Sequence, residues 1–284
     1  LGVVAAAVVL VVTRQYLAGI SNDSVVYIAA ARGLLRGSGL LTHLGEPLVS
    51  QPPLYPVLLA GAGGLLRTDP LLIAHGLNAV LFGIAVWLAA ELLLRRMAPA
   101  WGLAILGAAF LPIAGPLFRV SFMAWSEPLF LVFSLVYLLE VAEYVRTGRR
   151  LPLVVAALAV ALACLTRYIG VALVLAGALS IVLLRRDETR VKLRAAALFV
   201  AVPALPLAAW LVRNQAVTGT LFGPAPRREG RSSRTWAPPP PSPPAGSLTG
   251  APGGFSRRLR RFSSRRRLWP VPVMHAVTGG REDG

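Results

Sequence analysis

Long apolar runs separated by short polar connections dominate this sequence and leave few folds open to it. Eight runs fit the description: 1–20, 54–66, 71–94, 101–118, 126–145, 151–165, 168–184 and 195–212. They are apolar on all sides, whereas a helix on the surface of a soluble protein has one apolar face. A transmembrane helix needs about 20 apolar residues, a length that most runs reach or approach. The pattern predicts an all-α fold, a polytopic transmembrane helix bundle.

Composition agrees with a surface that faces lipid. Hydrophobic residues make up 56% of the chain and charged residues 14%, whereas about 25% of residues are charged in a typical soluble domain. The single cysteine, Cys164, excludes an intramolecular disulfide and a cysteine-based metal cluster, and we interpret it as a small core residue. Because no basic segment precedes the apolar residues that follow Leu1, we interpret the start as a membrane span lacking a few residues.

Basic residues predict how the runs are oriented. Three clusters stand between runs: Arg95–Arg96, Arg146–Arg150 and Arg185–Arg194. The positive-inside rule makes these connections cytoplasmic, and alternation then puts Glu127, Arg167 and Arg213 on the other face. The loop 21–53 should lie there too, but an odd number of runs separates it from Glu127. We therefore expect the short run 54–66 to be re-entrant, or one boundary to be wrong.

Two segments differ from the apolar runs. Residues 21–53 form a polar loop in which we expect a short outer helix at about 25–36. Residues 224–284 hold 12 arginines, 3 acidic residues and many prolines, and we expect them to form a disordered tail beyond a membrane domain at 1–223. Because the membrane pattern stops abruptly, an out-of-frame or truncated end is favoured over a segment that binds anionic lipid or nucleic acid.

Two carboxylates stand at the predicted outer boundary of the membrane. Asp23 follows the first run, and Glu127 opens a later run. A carboxylate partly withdrawn from water can act as a general base, and acids near membrane spans are often functional. Each also has a structural interpretation, Asp23 as a helix N-cap and Glu127 as a first-turn acid favoured by the helix dipole.

Two lone arginines, Arg167 and Arg213, lie on the same predicted face, where the positive-inside rule disfavours them. A guanidinium binds phosphate through paired hydrogen bonds and keeps its charge, so both are candidates for phosphate binding. Snorkelling to lipid headgroups is the alternative. The sequence contains no Walker loop, no dinucleotide fingerprint after a strand and no GxSxG motif, which disfavours a nucleotide-driven pump.

Six short motifs occur in order along residues 1–223. They are Ser21-Asn22-Asp23-Ser24-Val25-Val26-Tyr27, Ala31-Arg32-Gly33-Leu34-Leu35-Arg36-Gly37-Ser38-Gly39-Leu40, Pro52-Pro53-Leu54-Tyr55-Pro56, Ser126-Glu127-Pro128-Leu129-Phe130, Leu165-Thr166-Arg167-Tyr168-Ile169-Gly170 and Trp210-Leu211-Val212-Arg213-Asn214. In this order and spacing they resemble the polytopic glycosyltransferases of family 39. That family includes protein O-mannosyltransferases and the bacterial aminoarabinose lipid A transferase.

The resemblance implies particular roles for several residues. It puts the catalytic acid in the first outer loop, which corresponds to Asp23, and Glu127 is the second catalytic candidate. It also implies a polyprenyl-phosphate sugar donor whose phosphate meets basic residues, a role that Arg167 and Arg213 fit. Many members carry an acidic pair at the first site, but here Asn22 precedes the aspartate, so a divalent metal stays an open cofactor without assigned ligands.

Three further residues are candidates for substrate binding. Tyr27 and Tyr55 lie within the motifs, and His43 lies in the polar loop. Since His43 has no partner at metal-ligand spacing, a structural role is its alternative. Family members continue with further spans, so we expect the chain to be an incomplete member.

We therefore expect an inverting glycosyltransferase, a multi-pass protein of the cell membrane. It would move a sugar from a polyprenyl-phosphate donor to a hydroxyl of a lipid, glycan or protein acceptor on the non-cytoplasmic face. Membrane lipids would be its other partners, and no nucleic acid is expected. Two alternatives stay open: a transporter or lipid flippase, which needs no proton acceptor at Asp23, and an inactive truncated product. A membrane-anchored nucleic-acid-binding protein rests on the arginine-rich tail alone.

Overall fold

The computed structural model describes residues 1–15, 17–97, 100–110 and 114–223, and within these ranges the chain forms helices and no strand. The helices are α1 (Gly2–Thr13), α2 (Asn22–Leu35), α3 (Leu54–Leu66), α4 (Pro70–Arg96), α5 (Trp101–Phe110), α6 (Gly115–Phe122), α7 (Glu127–Thr147), α8 (Arg150–Thr166), α9 (Val171–Leu184) and α10 (Thr189–Thr218). The all-α prediction is confirmed for this part of the chain. The predicted disordered tail, 224–284, lies outside the described residues.

Three helices, α4, α7 and α10, are long and apolar enough to cross a membrane. The 21 residues of α7 extend over about 31 Å at 1.5 Å per residue, close to the roughly 30 Å of a bilayer's hydrocarbon core. The other apolar helices in the described ranges are shorter, with 10–17 residues. These lengths are consistent with a membrane protein, at a coarser level than the predicted bundle of eight runs.

Several predicted boundaries are wrong. The run 1–20 is helical only over α1, because Leu17 has a left-handed backbone (φ 59°) and the backbone of Gly19 pairs with Phe122 and Ala124 instead. The run 101–118 is split between α5 and α6, and Ala114 before α6 is extended (ψ 106°). Hydropathy measures how favourable the transfer of each side chain to lipid is. It carries no information about backbone conformation, so it could not predict where these helices end.

The run 54–66 stays beside the loop helix. At the start of α3 the ring of Tyr55 lies 5.1 Å from the ring of Tyr27 on α2. Near its end, a Cβ atom added to Gly64 would lie 3.3 Å from the side chain of Leu35, at the end of α2. α3 thus packs alongside α2 from one end to the other, and the re-entrant path of 54–66 stays a prediction.

The turn between α8 and α9 is unusually close to α8. Arg167 leaves the helix in an extended conformation, and Tyr168–Gly170 form one 3-10 turn before α9 begins. A Cβ atom added to Gly170 would lie 2.7 Å from the backbone nitrogen of Cys164 and 2.8 Å from its Cα atom. Only glycine therefore fits at this position, and the close packing fixes the direction in which Arg167 and Tyr168 leave α8.

Substitution of Gly170 by alanine should lower the free energy of unfolding by about 1–3 kcal/mol, the usual effect of forcing a methyl group into a packed site. Thermal unfolding of the purified protein in detergent measures the change. Gly61→Ala is the matched control, since a Cβ atom there meets nothing within 4 Å and alanine favours helix. Equal melting temperatures for Gly170→Ala and the wild type would contradict this account of the turn.

Candidate functional site

Polar side chains from three distant segments meet at one end of α7. The hydroxyl of Tyr27 lies 2.9 Å from the Ser126 hydroxyl. The Arg167 guanidinium donates to the same Ser126 oxygen at 3.3 Å and forms a 2.7 Å ion pair with Glu127. We call Asp23, Tyr27, Ser126, Glu127 and Arg167 the junction cluster, because it joins the loop helix, the start of α7 and the α8–α9 turn.

Asp23 lies at the exposed edge of the junction cluster. It sits in the first turn of α2, one helical turn before Tyr27 and so on the same face. One carboxylate oxygen accepts a 3.0 Å hydrogen bond from the side-chain amide of Gln51. The N-cap position belongs to Ser21, whose hydroxyl accepts from Trp125. The N-cap interpretation of Asp23 is therefore wrong, and its carboxylate is held by the loop while it stays open to water.

Glu127 and Arg167 form the charged centre of the junction cluster. Glu127 is the first residue of α7, as its interpretation as a first-turn acid predicted, and Ser126 is the N-cap residue. The side chains of Arg167 and Glu127 are 31% and 30% exposed, so the pair is partly withdrawn from water. The guanidinium of Arg167 therefore contacts protein groups, whereas a snorkelling arginine would extend its guanidinium to lipid headgroups.

The two tyrosines have different surroundings. Tyr27 is 2% exposed, and burial raises its pKa to about 12, although the Ser126 hydrogen bond and the Arg167 charge oppose the rise. Its hydroxyl therefore stays protonated at neutral pH and can donate a hydrogen bond. Tyr55 is fully buried and donates to the side chain of Asn78 at 3.1 Å. Its hydroxyl is therefore bonded inside the core and is not exposed to a substrate in this structure.

Arg213 lies outside the junction cluster and holds the loop. Its guanidinium donates to the carbonyl of Leu48 at 2.7 Å and lies over the Trp210 ring, 4.8 Å from the centroid. Beside it, the hydroxyl of Tyr168 donates to the carbonyl of Val49 at 2.9 Å. We call Tyr168, Trp210, Arg213 and Asn214 the loop clamp, because their contacts fix residues 48–49 just before Gln51.

The structure also bears on two further expectations, substrate binding by His43 and a divalent metal. His43 is exposed in the turn that follows Thr42, away from the hydrogen bonds of the junction cluster. Within the ranges that the structure covers, no group of three His, Cys, Asp or Glu residues could hold a metal ion. The open metal cofactor therefore has no ligand set among those residues.

Two residues that contact the site or the segment before α7, Gln51 and Asn78, were not predicted from the sequence. Asn78 donates to the carbonyls of Met123 and Trp125, and so connects α4 to the segment before α7. A lone asparagine in the middle of the run 71–94 is a usable signal, because buried polar groups must be bonded. Gln51, which holds Asp23, lies in a polar loop where many residues could have taken this role, so no local pattern identified it.

Comparison with family models, with curated proteins and with solved structures found no match for this chain. The resemblance to family 39 therefore rests on the six motifs. Three of the motifs supply the junction cluster, and a fourth supplies most of the loop clamp.

Tyr27→Phe should change how stability depends on alkaline pH. A tyrosine in the unfolded chain has the ordinary pKa of 10.0, whereas the pKa of Tyr27 in the folded chain is about 12. Between these values the unfolded state has lost a proton that the folded state keeps, so stability falls as pH rises. The variant should lose this part of the decline in thermal unfolding measured from pH 9 to pH 12. Parallel declines in variant and wild type would contradict the assignment.

Proposed function

We propose that this chain is an inverting membrane glycosyltransferase of the family 39 type, acting on a polyprenyl-phosphate sugar at the non-cytoplasmic face. One observation carries the proposal. An exposed carboxylate, Asp23, and a guanidinium, Arg167, flank Tyr27 at one end of a helix long enough to cross a bilayer. This arrangement would give a proton acceptor and an anion-binding group at the membrane surface. There the prenyl tail of the donor would lie in lipid, and its phosphate would stay in water.

The proposed reaction is one displacement at the anomeric carbon. The acceptor hydroxyl attacks that carbon while the Asp23 carboxylate takes up its proton. The bond from the anomeric carbon to the donor phosphate oxygen breaks, and its electron pair leaves with the polyprenyl phosphate. A single attack from the opposite side inverts the configuration. Gln51 donates to one oxygen of Asp23, which fixes the carboxylate and leaves its second oxygen for the proton.

Arg167 is proposed to receive the charge that develops on the leaving phosphate. A guanidinium has five N–H donors, and the contacts with Glu127 and Ser126 use only its Nη1 atom. The Nε and Nη2 groups are therefore available to a phosphate. Donors that are already oriented before the reaction stabilise developing charge best, so we assign Glu127 as the positioning residue of this arginine.

The loop clamp is proposed to act through the loop and not on the phosphate. Arg213 lies outside the junction cluster: its guanidinium donates to Leu48 and to Asn214 and covers the ring of Trp210. These contacts hold the backbone that leads to Gln51, and Gln51 in turn holds Asp23. In this proposal Arg213 is a positioning residue, and Arg167 alone takes the role expected for both arginines.

Asp23→Asn should reduce sugar transfer by about 100-fold to 10,000-fold, the usual contribution of a general base. The assay uses membranes that contain the variant and a panel of labelled polyprenyl-phosphate sugars. Glu46→Gln is the matched control, because Glu46 is an exposed acid in the same loop and should keep full transfer. Membrane insertion of both variants should equal that of the wild type.

Full transfer by Asp23→Asn would falsify the assignment of the base. A transporter or flippase would move the labelled lipid or sugar across the membrane without forming a glycosylated product, and it would be indifferent to this substitution. The same assay therefore separates the two classes of protein.

A further inference from the structure

A groove of about 610 Å³ opens at the other end of α7 from the junction cluster. Its walls come from the last turns of α4 and α9, and α7 packs against both helices. From Glu127 to Arg146, which lines the groove, the rise along α7 is about 29 Å at 1.5 Å per residue. The arginine rim of the groove and the junction cluster are therefore separated by roughly the thickness of the hydrocarbon core of a bilayer, and the lining extends from that rim toward the middle of α7 as far as Leu138.

The inner part of the groove is apolar and open at its side. Leucines from all three helices line it, among them Leu92, Leu138 and Leu184. Leu138 is 42% exposed and Leu184 is 63% exposed. Such side chains would face lipid in a membrane, and the volume lies within the range of roughly 300–1,000 Å³ that is typical of ligand pockets. The groove can therefore take an acyl chain along its length.

Three arginines stand at the rim of the groove. Arg95, Arg96 and Arg146 line it together with Glu143, and Glu91 and Glu140 also lie close enough to act on the charge of Arg95. Arg146 pairs with Glu143 at 2.8 Å and Arg95 pairs with Glu91 at 2.7 Å, but all three arginines are exposed. Arg96 forms no ion pair within the described part of the chain. Each guanidinium keeps N–H groups that can donate to an anionic oxygen.

We propose that this groove binds one anionic glycerophospholipid, with its phosphate among the three arginines and an acyl chain along Leu138 and Leu184. The combination selects this class of ligand. A soluble anion would leave the apolar part empty, and a zwitterionic lipid would bring a cationic group close to Arg96, whose charge no ion pair offsets among the described residues. Basic pockets between membrane helices on the cytoplasmic side are suited to acidic headgroups. The inference depends on membrane placement of the helices and is independent of the proposed transfer reaction.

The test measures lipid binding to the purified chain of residues 1–284 by native mass spectrometry, with phosphatidylglycerol and phosphatidylcholine of identical acyl chains as probes. The wild type should bind one phosphatidylglycerol in clear preference to phosphatidylcholine. The double variant Arg96→Gln/Arg146→Gln should lose about tenfold in apparent affinity for phosphatidylglycerol, because each basic residue contributes to binding of acidic lipid. Its weak binding of phosphatidylcholine should not change.

Arg186→Gln/Arg190→Gln is the matched control, since it removes equal charge from two exposed arginines outside the groove lining. This control should bind like the wild type. A further variant, Leu138→Trp, fills the apolar part without changing charge and should also weaken phosphatidylglycerol binding. Equal losses in the groove variant and the control would overturn the proposal in favour of diffuse surface charge, as would unchanged binding in Leu138→Trp. If the groove double variant does not fold, the tryptophan variant decides the question alone.

Discussion

The ion pair between Arg167 and Glu127 is the interaction on which the junction cluster depends. A charge that is partly withdrawn from water is unfavourable unless an opposite charge and hydrogen bonds compensate it. Glu127 and Ser126 supply that compensation to Arg167, and Ser126 also contacts Tyr27 of the loop helix. The requirement to pair one arginine thus ties together three segments that are far apart in the sequence.

The two ends of α7 carry different chemistry. At its first residue, the helix presents an acid that orients Arg167, where the positive end of the helix dipole favours negative charge. At its last turns it presents Arg146 to a groove with three arginines at its rim and apolar walls. A helix of this length keeps the two ends about 30 Å apart. If α7 crosses a membrane, as its length and composition allow, the proposed transfer chemistry and the proposed lipid site would face opposite surfaces.

Apolar runs were enough to predict the helical class, and the basic clusters put Glu127 and Arg167 on one face. The count of runs, however, put the loop on the opposite face from Glu127, whereas Tyr27 of the loop helix contacts Ser126 beside it. Such patterns fail where hydrogen bonds decide the outcome. Arg213 was expected to bind phosphate but donates to Leu48, and the N-cap alternative for Asp23 gave way to a contact with Gln51. Composition cannot rank such partners, since many polar groups in a loop could satisfy the same donor.

A double-mutant cycle on Glu127→Gln and Arg167→Gln, measured by unfolding of the purified protein in detergent, tests the central pairing most directly. Both side chains are about 30% exposed, so the coupling should be about 1 kcal/mol, at the upper end of the values for exposed pairs. The double variant should then be more stable than the sum of the two single effects predicts. Strictly additive effects would show that the two charges do not interact. That result would contradict the assignment of this ion pair as the contact that holds the junction cluster together.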